Sequence, residues 1–130
     1  MKLTNSYIGL PEDFYQVVNP LPVKSPQIIS FNDELAQCLG LEIDKKEALK
    51  YFSGNSIPEN TTPIALNYAG HQFGNFVHEL GDGRATLLGE IEVNKERFDV
   101  QLKGSGPTKF SRQGDGRSAL GPVIREYIVS

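Results

Sequence analysis

"HELGDGRATLLGE", His78 to Glu90, sets Gly81, Asp82, Gly83 and Arg84 between two apolar segments. Two readings fit. Asp-Gly is turn chemistry, so the run suits a tight connection between strands. It also suits a phosphate: glycines let backbone N–H groups approach an anion without a clashing Cβ, and the Arg84 guanidinium can fork two hydrogen bonds to its oxygens. The flanking sequence bears on the choice.

After the run, "ATLLGEIEV" alternates so as to place Ala85, Leu87, Gly89, Ile91 and Val93 on one face of a strand. "FDVQLK" sets Phe98, Val100 and Leu102 opposite Asp99, Gln101 and Lys103, and "NKER" between the two is a polar hairpin turn. Before the run, "HQFGNFVHEL" reads as a strand interrupted at Gly74 by a bulge or a close backbone approach. A Gly-rich loop then leads to "GPVIREYIVS", which begins like a helix with Pro122 in its first turn. It reaches Ser130 without a stop signal, so the sequence reads as a piece of a longer protein.

The chain before Ile64 is different in kind. "NPLPVKSPQII" carries three prolines and reads as irregular chain. A short helix capped by Ser30 or Asn32 stops at Gly40, and a second, with Asp44 and Glu47 as a capping box, ends near Gly54. The expected organisation is therefore an extension with short helices over residues 1–60 and an antiparallel sheet with a helix over residues 61–130, an α+β chain.

Strand arithmetic connects the glycine run to Lys103. Nine residues outward and about six back, at roughly 3.3 Å each, leave the lysine ~10 Å short of the loop, a gap that its side chain and one phosphate span. Glu126, on the predicted helix, is a partner for Lys103 of the type that kinases use to hold phosphates in register; a solvated strand end and a surface glutamate are the alternative. A second loop, "KGSGPTKFSRQGDGRS", repeats Gly-Asp-Gly-Arg at residues 114–117. From Lys103 to Arg125 the positive residues are Lys103, Lys109, Arg112, Arg117 and Arg125 against the single acid Asp115. Phosphate binding explains that local excess, as does a solvated basic loop.

Bulk properties narrow the partners. A formal net charge of −3 and a pI near 5.4 give no general attraction to nucleic acid or to an anionic membrane. No run approaches the length of a membrane span or of a signal peptide's apolar core, and the lone Cys38 forms no internal disulfide, so the cytoplasm is the expected compartment. His71 and His78 lack the cysteines or carboxylates of a zinc site. There is no Walker loop, and the glycines lie between strands where a Rossmann fingerprint needs a strand and a helix.

Taken together, "NYAGHQFGNFV", "LGDGRATLLGE", "VQLKGSGPT", "SRQGDGRSALGP" and "IREYI" resemble the SelO (YdiU) family, pseudokinases that transfer AMP from ATP to protein hydroxyl groups. The resemblance is dense from about Asn67 onward. It implies a protein-kinase-like N-lobe in which Gly81, Gly83 and Arg84 belong to a nucleotide loop, Lys103 contacts ATP, Asp115 and Gly116 add nucleotide contacts, and Glu126 positions the lysine. It also implies ATP lying reversed relative to ordinary kinases. The family's metal-binding residues and presumed catalytic Asp fall beyond Ser130, so Mg²⁺ ligands are expected there, no catalytic residue is expected within residues 1–130, and these residues alone are expected to be inactive. A conventional kinase and a non-enzymatic nucleotide-sensing scaffold are the alternatives.

Overall fold

A computed structural model of the chain describes residues 1–129. Six strands form: β1 (Tyr15–Val17), β2 (Ile64–Leu66), β3 (Gly70–Gln72), β4 (Asn75–Val77), β5 (Ala85–Val93) and β6 (Glu96–Lys103). Among the described residues three α-helices accompany them, α1 (Asp33–Cys38), α2 (Lys45–Phe52) and α3 (Leu120–Val129), with 3-10 turns at Ser6–Gly9 and Glu12–Phe14. The main sheet is antiparallel in the order β1-β2-β5-β6, and β3 and β4 form a separate hairpin. The α+β class expected from the sequence is therefore present. Ser130, where a missing stop signal was noted, lies outside the described residues.

Local chemistry explains the helices. Asn32 accepts the Leu35 N–H at 2.9 Å, which settles the cap of α1, and Asp44 accepts the Glu47 N–H at 2.7 Å at the start of α2. Both helices end before a left-handed glycine, Gly40 or Gly54. The β5–β6 turn is the two-residue Asn94–Lys95, with both φ values positive, the backbone that matches the twist of a hairpin.

Four expectations change. The first sixty residues are not only helices and irregular chain: β1 pairs with β2, and Thr4 bridges Glu90 of β5. Leu3 thereby joins Leu88, Ile91 and Leu102 in the core, with Leu39 and Leu41 packed against it. Second, residues 70–77 are not one bulged strand. They reverse at Phe73 and Gly74, with φ of +52° and +79°, so that Gly70 pairs with Val77.

Third, the alternation in β5 breaks. A bulge between Leu87 and Gly89 inserts Leu88, so Ala85 and Leu87 pair with Lys103 and Gln101, whereas Gly89 and Ile91 pair with Val100 and Phe98. The five residues placed on one face are thus divided between two, and both Leu87 and Leu88 are fully buried. Fourth, the strand arithmetic underestimates β6. The turn uses only two residues and the bulge absorbs another, so Lys103 lies directly beside Ala85 and the ~10 Å gap does not exist.

Candidate functional site

The first Gly-Asp-Gly-Arg run leaves the β3–β4 hairpin and enters β5; the second lies between β6 and α3. The fold brings them together. Both border one cavity of about 440 Å³, to which Gly81, Gly83, Arg84, Asp115 and Gly116 contribute along with Arg112 and Arg117.

Side chains of the second loop fasten it to the first. The Thr108 hydroxyl donates to the Asp82 carbonyl at 2.7 Å, and the Ser111 hydroxyl to the Gly83 carbonyl at 2.5 Å. Phe110, nearly buried, lies against Gly81, where a Cβ would run into its ring and where φ is +57°. Gly116, at φ +68°, meets the Gly106 backbone as closely. Gly81 is needed because the second loop packs on the first, and Gly116 because the second loop folds back on itself, reasons separate from any approach to a phosphate.

The two aspartates of the repeats differ completely. Asp82 is buried, and its carboxylate accepts from the Leu66 N–H at 3.0 Å, the Tyr68 hydroxyl at 3.0 Å and Gln101 Nε2 at 3.2 Å. It ties β2, β6 and the loop into one frame. Tyr68 responds to it: burial and the adjacent carboxylate push the phenol above its ordinary range. Asp115 is exposed, and it accepts only the N–H of Arg117, two residues on, at 2.9 Å.

The expected use of backbone N–H groups in the first loop does not hold. Gly81 and Asp82 donate to the carbonyls of Tyr68 and Leu66, and Gly83 to that of Gly81. What the loop offers the cavity is the exposed Arg84. Among the described residues the ion pairs are Lys45–Asp33, Arg97–Glu90 and Lys103–Glu126, so none neutralises Arg84, Arg112 or Arg117. Arg117 additionally donates to the carbonyls of Gly104 and Leu21 at 3.3 and 3.4 Å, which fixes its side chain across the loop. Three guanidinium groups around one concavity, with a single exposed carboxylate, make a site for a multiply charged anion.

Lys103 and Glu126 meet as the sequence suggested. The ammonium donates to both carboxylate oxygens, at 2.5 and 2.7 Å. Lys103 is not among the residues bordering the cavity, although the ladder places it next to the strand's entry: it pairs with Ala85, and the Gly104 N–H donates to the Arg84 carbonyl at 2.6 Å.

Sequence reasoning passed over Thr108, Phe110 and Ser111, read Arg112 only as a member of a basic run, and read Arg117 as a member of that run and the last residue of the repeated tetrapeptide. Their fastening role depends on contacts across about thirty positions, which periodicity does not encode. The recurrence of the same tetrapeptide was the one signal that linked the two loops.

The whole chain, residues 1–130, matches the family model described as protein adenylyltransferase SelO. Among its relatives is a protein nucleotidyltransferase YdiU of Agrobacterium fabrum, 60% identical, in an alignment covering all of this chain and 28% of the relative. A Bradyrhizobium relative of the same name is 57% identical over 97% of the chain and 26% of its own length. One from Bacillus cereus is 55% identical over 98% of the chain and 27% of its length. The chain thus spans about a quarter of the length of these relatives.

Proposed function

This chain belongs to the SelO family, and from that premise we propose that its cavity holds the triphosphate of ATP in a protein that transfers AMP to the hydroxyl side chains of other proteins. The observation that carries the reading is the convergence of the two Gly-Asp-Gly-Arg turns on one concavity with three arginines that no carboxylate among the described residues neutralises in an ion pair. Fixed cationic donors around a phosphate chain both bind it and stabilise charge that develops as a phosphoryl bond breaks. Gly81 and Gly83 shape the pocket, Arg84 is its first charged contact, and Asp115 and Gly116 border the nucleotide from the opposite loop.

Under this reading the segment is a kinase-like N-lobe. A four-stranded antiparallel sheet, a helix after it, and an ion pair from the last strand to that helix support the assignment. Residues 1–60 are its extension and residues 61–130 the lobe portion, with β1 and Leu3 of the extension built into the sheet. In this reading the Lys103 ammonium, held by Glu126 beside the cavity's entry strand, contacts a phosphate oxygen of the bound nucleotide. With ATP reversed, the acceptor oxygen bonds to the α-phosphorus, the bond to the bridging oxygen breaks, pyrophosphate leaves and the hydroxyl proton is lost to a base.

Mg²⁺ would shield the phosphates in such a reaction. The residues present do not suit it: Asp82 is committed to three donors, and no group of three His, Cys, Asp or Glu among the described residues could hold a metal. Its ligands, like the catalytic base, are assigned to sequence outside residues 1–130, and these residues alone are expected to transfer nothing. Neither nucleic acid nor a membrane is a partner in this reading, and the cytoplasm is its compartment; among the described residues no helix is long and apolar enough to cross a membrane.

Mass spectrometry of the intact gene product incubated with ATP tests the proposal. An AMP adduct on protein hydroxyls is expected. A phosphate adduct alone would establish a conventional kinase, and ATP binding without any adduct would establish a nucleotide sensor.

A further inference from the structure

The tip of the β3–β4 hairpin is built against its own chemistry. Two-residue turns with both φ values positive favour Asn-Gly or Asp-Gly, because a side chain is strained in the left-handed region. Here the first turn residue is Phe73, at φ +52°, and it is 94% exposed. A bulky aromatic in a strained backbone and in water stabilises nothing in the fold, and such outliers collect at functional positions.

The hairpin is tied to the cavity. Gln72, next to Phe73, borders it, and so does Leu80 at the other end of the hairpin. The Leu80 side chain packs under Gly70, so closely that a Cβ there would stand 2.9 Å from it. Edge contacts of Phe76 with His71 and His78, at 5.3 and 4.9 Å between ring centroids, stiffen the ribbon. The cavity, by contrast, is lined apart from Leu80 by glycines, arginines and polar groups, and its one aromatic residue among the described ones, Phe110, is buried beneath Gly81. It suits a phosphate chain and offers no open aromatic face to a base.

We infer that Phe73 is the stacking platform for the purine base of the nucleotide whose phosphates occupy the arginine-lined cavity, which makes the hairpin tip a determinant of nucleotide affinity. The inference rests on the proposed nucleotide reading of that cavity. Rings and bases stack face to face without regard to hydrogen-bond pattern, so the contact is expected to favour any purine nucleoside triphosphate over bare triphosphate.

Two ligands and two variants test it in the intact gene product: ATP and inorganic tripolyphosphate, titrated calorimetrically against the parent, Phe73→Asn and Phe73→Tyr. Phe73→Asn restores an Asn-Gly turn, so its melting temperature should rise or hold. Its ATP affinity should nevertheless fall by roughly 5- to 100-fold while tripolyphosphate binding stays within about two-fold. Phe73→Tyr should bind ATP like the parent. Unchanged ATP affinity in Phe73→Asn would overturn the inference and leave the cavity reading standing, and equal losses for both ligands would overturn it in favour of an effect on loop geometry. A parent that binds neither ligand would remove the cavity reading and this inference together.

Discussion

Asp82 and Asp115 have the same neighbours in sequence and opposite situations in space. Removing the Asp82 carboxylate would strand the Leu66 N–H, the Tyr68 hydroxyl and Gln101. Asp82→Ala should therefore cost on the order of 3 kcal/mol, whereas Asp115→Ala, which loses one exposed contact, should cost less than about 1 kcal/mol. Thermal melts of both variants check the contrast. Tyr68 supplies a pH dependence. Its phenol is pushed above the ordinary value of 10.0 in the fold, so above that pH the unfolded chain loses its proton first. The stability linked to Tyr68 is thus complete below pH 10 and declines as pH rises through the folded value. Tyr68→Phe should reduce the alkaline decline, as a denaturant titration at several pH values would reveal, and leave the part linked to Tyr7, whose phenol burial and Asp99 also push upward.

At the scale of elements, the β5–β6 hairpin carries the largest difference between reading and structure. Strict alternation puts Leu87 on one face of β5 with Ala85, Gly89, Ile91 and Val93, and Phe98 on one face of β6 with Val100 and Leu102; the bulge buries Leu87 and its neighbour Leu88 alike, while Phe98 remains 40% exposed. Leu88→Ala should cost about 3 kcal/mol and Phe98→Ala less than about 1 kcal/mol, measured as shifts in unfolding midpoint. The hairpin itself was legible, because Asn-Lys-Glu-Arg is polar turn sequence between alternating runs, although Glu96 and Arg97 already belong to β6. The bulge was not: "ATLLGEIEV" alternates from Ala85 to Val93 without a local sign that Leu88 is inserted, and the N-terminal segment that bridges it at Thr4 comes from about eighty residues away. Strand β1 was missed for a related reason, since three residues carry too little periodicity to register. Residue type and order left the Lys103–Glu126 link as one of two readings, and the family resemblance is what favoured it. Both groups are partly exposed, so the pair adds little stability, but it fixes an amine. If the proposed function holds, Lys103→Ala in the intact gene product should leave the melting temperature nearly unchanged while greatly reducing AMP transfer. The double variant with Glu126→Ala should be little worse than either single one, as a double-mutant cycle on transfer rates would reveal.

For the molecule as a whole, the decisive arrangement is that sequence neighbours separate and distant segments join. Leu3 completes the core under β5, Leu21 accepts from Arg117, and Thr108 and Ser111 clasp a turn some thirty residues earlier. The repeated tetrapeptide announced that two loops share a chemistry; only the three-dimensional closure makes them one cavity. The purpose of its glycines was half legible, because a positive φ can be expected in a turn, whereas the Phe110 ring against Gly81 cannot. A crystal structure of the intact gene product with a non-hydrolysable ATP analogue tests this closure most directly. The phosphate chain is expected between the two turns, with its oxygens hydrogen-bonded to Arg84 from one side and to groups of residues 112–117 from the other. Phosphates held by one turn alone, or bound at another surface with the cavity filled by solvent, would contradict it.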